Sequence, residues 1–348
     1  MGRKHSDFMK RYSAFFLLAF MLSGCVKENE TGTKEIHPGK QLLISNEGNF
    51  QWGNASLSLY HLDSNHIISG DIFSQTNHRP LGDVLQSVTR TDGLICLVVN
   101  NSGKIEFIDE KNFDAKGIIS GLRSPRYLCK AGNSSRALVT DLYDDSVAIV
   151  DLAPAFKISG KTALKGWTEQ VLYIDGNFFV TNLHTRSLYV IDGISFRVSD
   201  SIPIGFGSFS IVKDDKDRIW VATKGNESLR ISSQIHCIDP RSRQVLLSSD
   251  VSPGTVQCMA ADEEGKNIYV VCGDVYHFST DGRPDFSVPF FAAGKHNFYG
   301  IGTGADRIFL ADAIDYTQNG NIFILDTDGN ITAEFKAGKI PNGFLILN

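Results

Sequence analysis

Asp83, Glu169 and Asn342 are the residues whose types and placement come nearest to a reaction centre. Carboxylates and amides drawn from several strands to one point can hold a divalent cation, and a cation held that way activates water or a substrate oxygen, as a lactonase or lyase requires. Little else in the 348 residues points to catalysis. There is no G-x-S-x-G elbow, no H-E-x-x-H pair and no Gly-rich phosphate loop. The nine histidines are scattered, and His184 alone is placed near the expected mouth with carboxylates nearby. Beyond Cys25 the cysteines are Cys96, Cys129, Cys237, Cys258 and Cys272, with no CxxC pair among them. Four lie in apolar runs such as "LICLVV", so they read as small core hydrophobes rather than zinc ligands or a disulfide framework. The net charge is −5 with no Lys/Arg run beyond the first eleven residues, which argues against a nucleic-acid partner.

A second group points to recognition. Asn49, Phe50 and Trp52 lie in "NEGNFQWGNAS", and Arg126 in "SPRYL". Tyr143 lies in "DLYDDS", Trp167, Glu169 and Gln170 in "GWTEQ", and His184 in "NLHTRS". Tyr299 lies in "HNFYG" and Tyr316 in "DAIDYTQNGN". Aromatic faces beside a few amides and charges suit a large, partly apolar ligand with amide or hydroxyl edges. The same Asn, Asp and Gly residues also read as turn formers. Arg126, Glu169 and Gln170 also read as links between sheets, and Trp167 as core.

The elements that must position these residues follow from a repeat. A short apolar strand closing on Asp recurs as "LSLYHLD", "KIEFID", "VAIVD", "LYVID", "IHCID" and "IFILD", with a degenerate copy "VYHFS" ending at Ser279. A period in the forties built of Val-, Ile-, Phe- and Tyr-rich segments bounded by Gly, Asn and Asp is the signature of a propeller array. Each unit parses into four strands. Before the Asp-closing strand come one such as "LICLVVN" and an innermost one such as "PRYLCK"; after it comes an outer strand such as "HIISGDIF" or "ITAEFKAG". The first unit has no innermost strand upstream. The final "NGFLILN" has that pattern and nothing after it. The sequence therefore predicts an all-β, seven-bladed β-propeller of four-stranded blades over 41–348, closed by pairing of the C-terminal strand with the first blade. Loops entering the innermost strands and loops between second and third strands then share one face, and the recognition residues lie on them.

Upstream, Arg3, Lys4, Lys10 and Arg11 precede the apolar run "AFFLLAFML", and "LSGC" ends at Cys25. This resembles a bacterial lipoprotein signal, with residues 1–24 removed and Cys25 carrying lipid. Residues 25–40 then form a polar tether whose "KENE" resembles an acidic surface-export signal.

Taken together, "NEGNFQWGNASLSLY", "RPLGDVLQS", "NNSGKIEFID", "WTEQV", "DAIDYTQNGNIFI" and "GKIPNGF" resemble the YncE-like β-propeller surface lipoproteins of Bacteroidetes. The resemblance implies a non-enzymatic role with no cofactor. A corrinoid such as cobalamin (vitamin B12) would be captured at the propeller mouth and passed to a TonB-dependent outer-membrane transporter of BtuB type, with the lipid anchor holding the protein on the outer membrane, exposed at the cell surface. On that basis Phe50, Trp52, Tyr143, Trp167, Tyr299 and Tyr316 are expected as apolar contacts, and Asn49, Arg126, Glu169, Gln170 and His184 as polar ones. The alternatives are a metal-dependent lactonase or lyase and a propeller that binds another surface protein or a glycan.

Overall fold

In the strand Leu94–Val99 every residue is apolar, and all but the first are buried. A strand apolar on both faces needs a cover on each side. Ile95, Leu97 and Val99 pack toward one neighbouring sheet, and Cys96 and Val98 toward the other. This two-sided burial recurs around the molecule. Seven apolar clusters fill the seven spaces between adjacent sheets, from Leu43 and Leu97 in one to Tyr60 and Phe309 in another. The computed structural model describes residues 39–347. The signal segment 1–24, Cys25 and nearly all of the tether lie outside the described residues.

The seven antiparallel sheets form a seven-bladed propeller. Blade 1 contains Gln41–Asn46, Ser56–His61 and His66–Ser69, and its innermost strand is Pro341–Leu347 from the other end of the chain. The closing register runs from Gln41↔Leu347 to Asn46↔Pro341. This explains the apolar C-terminus: Leu345 and Leu347 join the cluster between blades 1 and 2, and Phe344 and Ile346 the one between blades 1 and 7. The innermost strands of blades 2 to 7 are Leu85–Thr91, Pro125–Lys130, Thr168–Ile174, Ser208–Lys213, Cys258–Ala261 and Phe298–Gly304.

The repeated Asp has a structural job. Asp109, Asp192, Asp239 and Asp326 each accept backbone N–H groups from the turn that follows, as Asp239 does from Arg241 at 2.8 Å and Ser242 at 3.1 Å. Ser279 does the same in the degenerate copy, accepting from the Asp281 N–H at 3.2 Å.

Two places depart from the regular four-stranded plan. Blade 6 has three strands, Cys258–Ala261, Asn267–Cys272 and Asp274–Ser279. In the fourth place the chain makes a single bridge, Val275↔Phe291. Pro284 and Pro289 lack the N–H a ladder needs, so a continuous outer strand cannot form there. In blade 1 the outer strand stops at Ser69, short of the expected "HIISGDIF". Asp71 instead caps a short helix, Ile72–Asn77, by accepting the Ser74 N–H, and the helix buries Phe73.

Candidate functional site

All loops named for recognition emerge on one face, because each antiparallel sheet returns its second strand to the end where its first begins. The two loop sets are joined by backbone hydrogen bonds: Asn100 N–H to Val84 O at 2.8 Å, Leu142 to Ser124 at 2.9 Å and Leu183 to Trp167 at 2.8 Å. Buried side chains at the ends of second strands fix the same loops. Asp141 accepts the Ser124 and Tyr143 N–H groups at 2.8 and 3.0 Å, and Asp312 accepts those of Asn297 and Ile314, both at 2.9 Å. These carboxylates are turn-holders, as the sequence allowed.

Below the mouth lies a central cavity of about 370 Å³, lined from all seven blades. Its polar walls come from a repeated backbone device. In six blades the register shifts at the mouth end of the innermost strand: Leu85/Ser87, Pro125/Leu128, Thr168/Val171, Ser208/Ser210, Phe298/Gly300 and, in blade 1, opposite Ser45/Asn46. Such bulges re-aim side chains. The residues in or beside them, Gln86, Arg126, Glu169, Phe209, Tyr299 and Asn342, all line the cavity.

These groups form two linked clusters. The Arg126 guanidinium forks onto the Glu169 carboxylate at 2.9 and 2.6 Å and also donates to Gln86 Oε1. Burial opposes the charge on Arg126, but Glu169 outweighs it and holds the guanidinium above its ordinary pKa. Glu47 accepts from Asn342 Nδ2 at 2.8 Å and from the Tyr299 hydroxyl at 3.2 Å. Its burial pushes its pKa from 4.5 up to about 7, against the pull of Arg126. Burial also raises Tyr299, which therefore stays a neutral donor, and lifts Tyr127 to about 12.

The rim carries exposed aromatics in two groups. On blades 3 and 4, Tyr143 meets Trp167 edge-on at 5.4 Å, and Trp167 stacks on His184 at 3.9 Å. On blades 1 and 7, Tyr316 meets Tyr299 at 5.6 Å, while Phe50 and Trp52 stand 61% and 77% exposed. The Phe50/Trp52 loop is braced from both sides. The Gln51 N–H donates to Asp83 at 2.6 Å, and Asn49 Nδ2 donates to the Tyr316 carbonyl at 2.7 Å. In a ring of seven, blades 1 and 7 face blades 3 and 4, so the two groups stand across the mouth from each other.

The structure thus brings Arg126, Glu169, Gln170 and Tyr299 to the cavity and puts Phe50, Trp52, Tyr143, Trp167, His184 and Tyr316 on the rim above it. Asn49 is committed to loop bracing. Gln170 accepts the Ile211 N–H at 2.8 Å and so ties blades 4 and 5 together. Trp167, 36% exposed, belongs to the rim rather than the core. The trio Asp83, Glu169 and Asn342 is not assembled. Asp83 serves the loop, accepting from Gln51 and Asn101, and does not line the cavity, while Glu169 is engaged by Arg126. Among the described residues no three His, Cys, Asp or Glu side chains are grouped to hold a metal ion.

Sequence reasoning passed over Glu47, Gln86, Tyr127, Ser210, Lys224 and Gln257 as site residues, although all line the cavity. Once the structure fixes where the innermost strands start, their second residues in six blades, Gln86, Arg126, Glu169, Phe209, Tyr299 and Asn342, all line the cavity. Glu47 and Lys224 come from second-strand ends and needed the tertiary fold.

Comparison with solved structures identifies propellers. A quinonprotein alcohol dehydrogenase-like protein of Bacteroides thetaiotaomicron superposes with a TM-score of 0.71 at 13% identity, over 87% of this chain and 77% of that one. The periplasmic gluconolactonase of Pseudomonas aeruginosa gives 0.68 at 12% identity, over 89% and 99%. Apo AztD of Citrobacter koseri gives 0.58 at 12% identity, over 88% and 97%. At such identities the likeness is one of fold. No curated protein sequence matches the chain. Residues 40–321 match the model of the DUF5074 family, described as a domain of unknown function, and the chain belongs to that family.

Proposed function

We propose that this propeller is a ligand-capture protein whose mouth binds a broad, partly apolar molecule with amide edges, cobalamin being the ligand its resemblance to YncE-like surface lipoproteins suggests. The observation that carries the reading is the pair of exposed aromatic groups facing each other across a polar floor, Phe50, Trp52 and Tyr316 against Tyr143 and Trp167. Soluble surfaces rarely leave so many large aromatics exposed in one region without a partner. Their loops are braced in advance, so little ordering entropy is lost on binding. The ligand lies across the rim, and the cavity beneath receives one polar arm. In this reading the chain is lipidated at Cys25, sits on the outer surface of the outer membrane and passes its cargo to a TonB-dependent transporter of BtuB type.

Calorimetry with cyanocobalamin tests the ligand. The expected outcome is saturable binding that weakens about tenfold, about 1.4 kcal/mol, in each of Trp52→Ala and Trp167→Ala. Absence of binding at micromolar concentrations removes cobalamin. Co-purification with a BtuB-type transporter tests the hand-over separately.

One observation favours a second reading. A buried Glu47 whose pKa lies at about 7 beside the Tyr299 hydroxyl is suited to general-base chemistry. Lactone hydrolysis by the wild type, lost in Glu47→Gln, would replace capture by catalysis.

A further inference from the structure

The blade-5 wall of the cavity is built differently from the rest. Elsewhere each ionisable group has a matched neighbour, Arg126 with Glu169 and Glu47 with Tyr299 and Asn342. Lys224 forms no salt bridge with any carboxylate among the described residues. Its ammonium donates to the Val256 carbonyl at 3.0 Å and sits 3.8 Å from the Phe209 ring centroid. Burial pulls its pKa below the ordinary lysine value. Ser210, 1% exposed, lines the same cavity, and its hydroxyl has no hydrogen-bond partner in the chain. Both residues belong to one blade: Ser210 on the innermost strand Ser208–Lys213, and Lys224 directly after the second strand Ile219–Thr223. Gln257 lines the cavity from the next blade.

A buried ammonium without a carboxylate and a buried hydroxyl without a partner are both unfavourable. An oxyanion that reached both groups would relieve both. The ammonium has two protons left after Val256, and the hydroxyl has one to give. Arg126 is already paired with Glu169, which leaves Lys224 on the blade-5 side as the cavity cation with no carboxylate partner of its own. We propose that Lys224 and Ser210 form a subsite for an oxyanion, a carboxylate or phosphate group borne by the captured molecule. This rests on the reading of the mouth as a capture site and adds the chemistry of the arm that enters the cavity.

The test uses inorganic phosphate and acetate as probes, with chloride at matched ionic strength as reference, read by calorimetry and by the shift in Tm. The expected result is a saturable response to at least one oxyanion and none to chloride. It is lost in Lys224→Met, at least threefold weaker in Ser210→Ala, and unchanged in Lys216→Gln, whose lysine lies on the surface beside Asp281. The phosphate and acetate arms tell which group is preferred. No saturable response to either, or an undiminished one in Lys224→Met, overturns the proposal. If Lys224→Met does not fold, wild-type crystals soaked in tungstate decide: a density peak in contact with Lys224 and Ser210 supports the subsite, and tungstate bound only elsewhere overturns it. Cyanocobalamin is titrated in parallel. A protein that takes the oxyanion but not cyanocobalamin keeps the subsite and loses the cobalamin reading, and the reverse result loses the subsite alone.

Discussion

Glu47 concentrates the electrostatics of the cavity in one carboxyl. Arg126, Glu169, Tyr299 and Asn342 act on it, and desolvation outweighs the favourable contacts. Its folded pKa of about 7 lies above the ordinary 4.5, so the folded state binds the proton more tightly than the unfolded chain does. The sign follows: this group's contribution is most favourable below pH 4.5 and is lost as pH rises to about 7, on the order of 3 kcal/mol in full. Glu47→Gln should therefore raise Tm at pH 8 and flatten its profile between pH 5 and 8; a lower Tm at pH 8 would contradict this. Removing Glu169 should instead lower stability. Glu169→Ala strands the Arg126 guanidinium in the cavity and should destabilise by roughly 3–5 kcal/mol in urea unfolding. The five described cysteines pack against the blade-interface clusters, Cys258 also lining the cavity, and burial pushes Cys96, Cys129 and Cys258 up to about 12 and Cys237 and Cys272 to about 11. A thiol reagent should label none of these five in the native protein at pH 8 and all of them after denaturation.

At the scale of the strand, the bulge sets the site. A regular innermost strand would alternate its side chains; the register shift after Pro125 lets Arg126 and Tyr127, neighbours in sequence, both line the cavity. The closing strand imposes a further demand on blade 7. A Cβ on Gly300 would lie 2.2 Å from the Asn342 carbonyl oxygen, a backbone atom that cannot swing away. Gly300→Ala should cost roughly 1–3 kcal/mol in denaturant unfolding, and because Asn342 donates to Glu47, ligand binding should weaken with it. An unchanged midpoint would mean that the closing strand approaches less closely than the structure shows.

For the whole molecule, closure is the decisive contact. Each blade is apolar on both faces, so removing one innermost strand exposes two interfaces and an open sheet edge together. Deleting 341–348 should give insoluble or protease-sensitive protein, as seen by limited proteolysis, while a substitution of exposed Ile194, 81% exposed, by Ser should leave the fold intact. Closure also serves the site: Asn342, Gly343 and Phe344 of the last strand line the cavity with Glu47 from the first.

Local chemistry was legible in the sequence because it repeats. A strand apolar at every position must be covered on both faces, a closing Asp must hold a turn, and the segment Pro341–Leu347, which has the innermost-strand pattern, must find an edge; together these specify seven blades and their closure. The rim aromatics were legible too, since a Trp or Phe among Asn and Gly in a loop has no core to enter. Which polar groups meet in the centre was decided only by the tertiary structure. Glu47 and Asn342 stand at opposite ends of the chain, and the bulges that turn Gln86, Arg126 and Glu169 inward are shifts of register with no residue type of their own. Burial, which lifts Glu47 toward neutrality and leaves Lys224 without a carboxylate, is a property of the closed ring and of no segment alone.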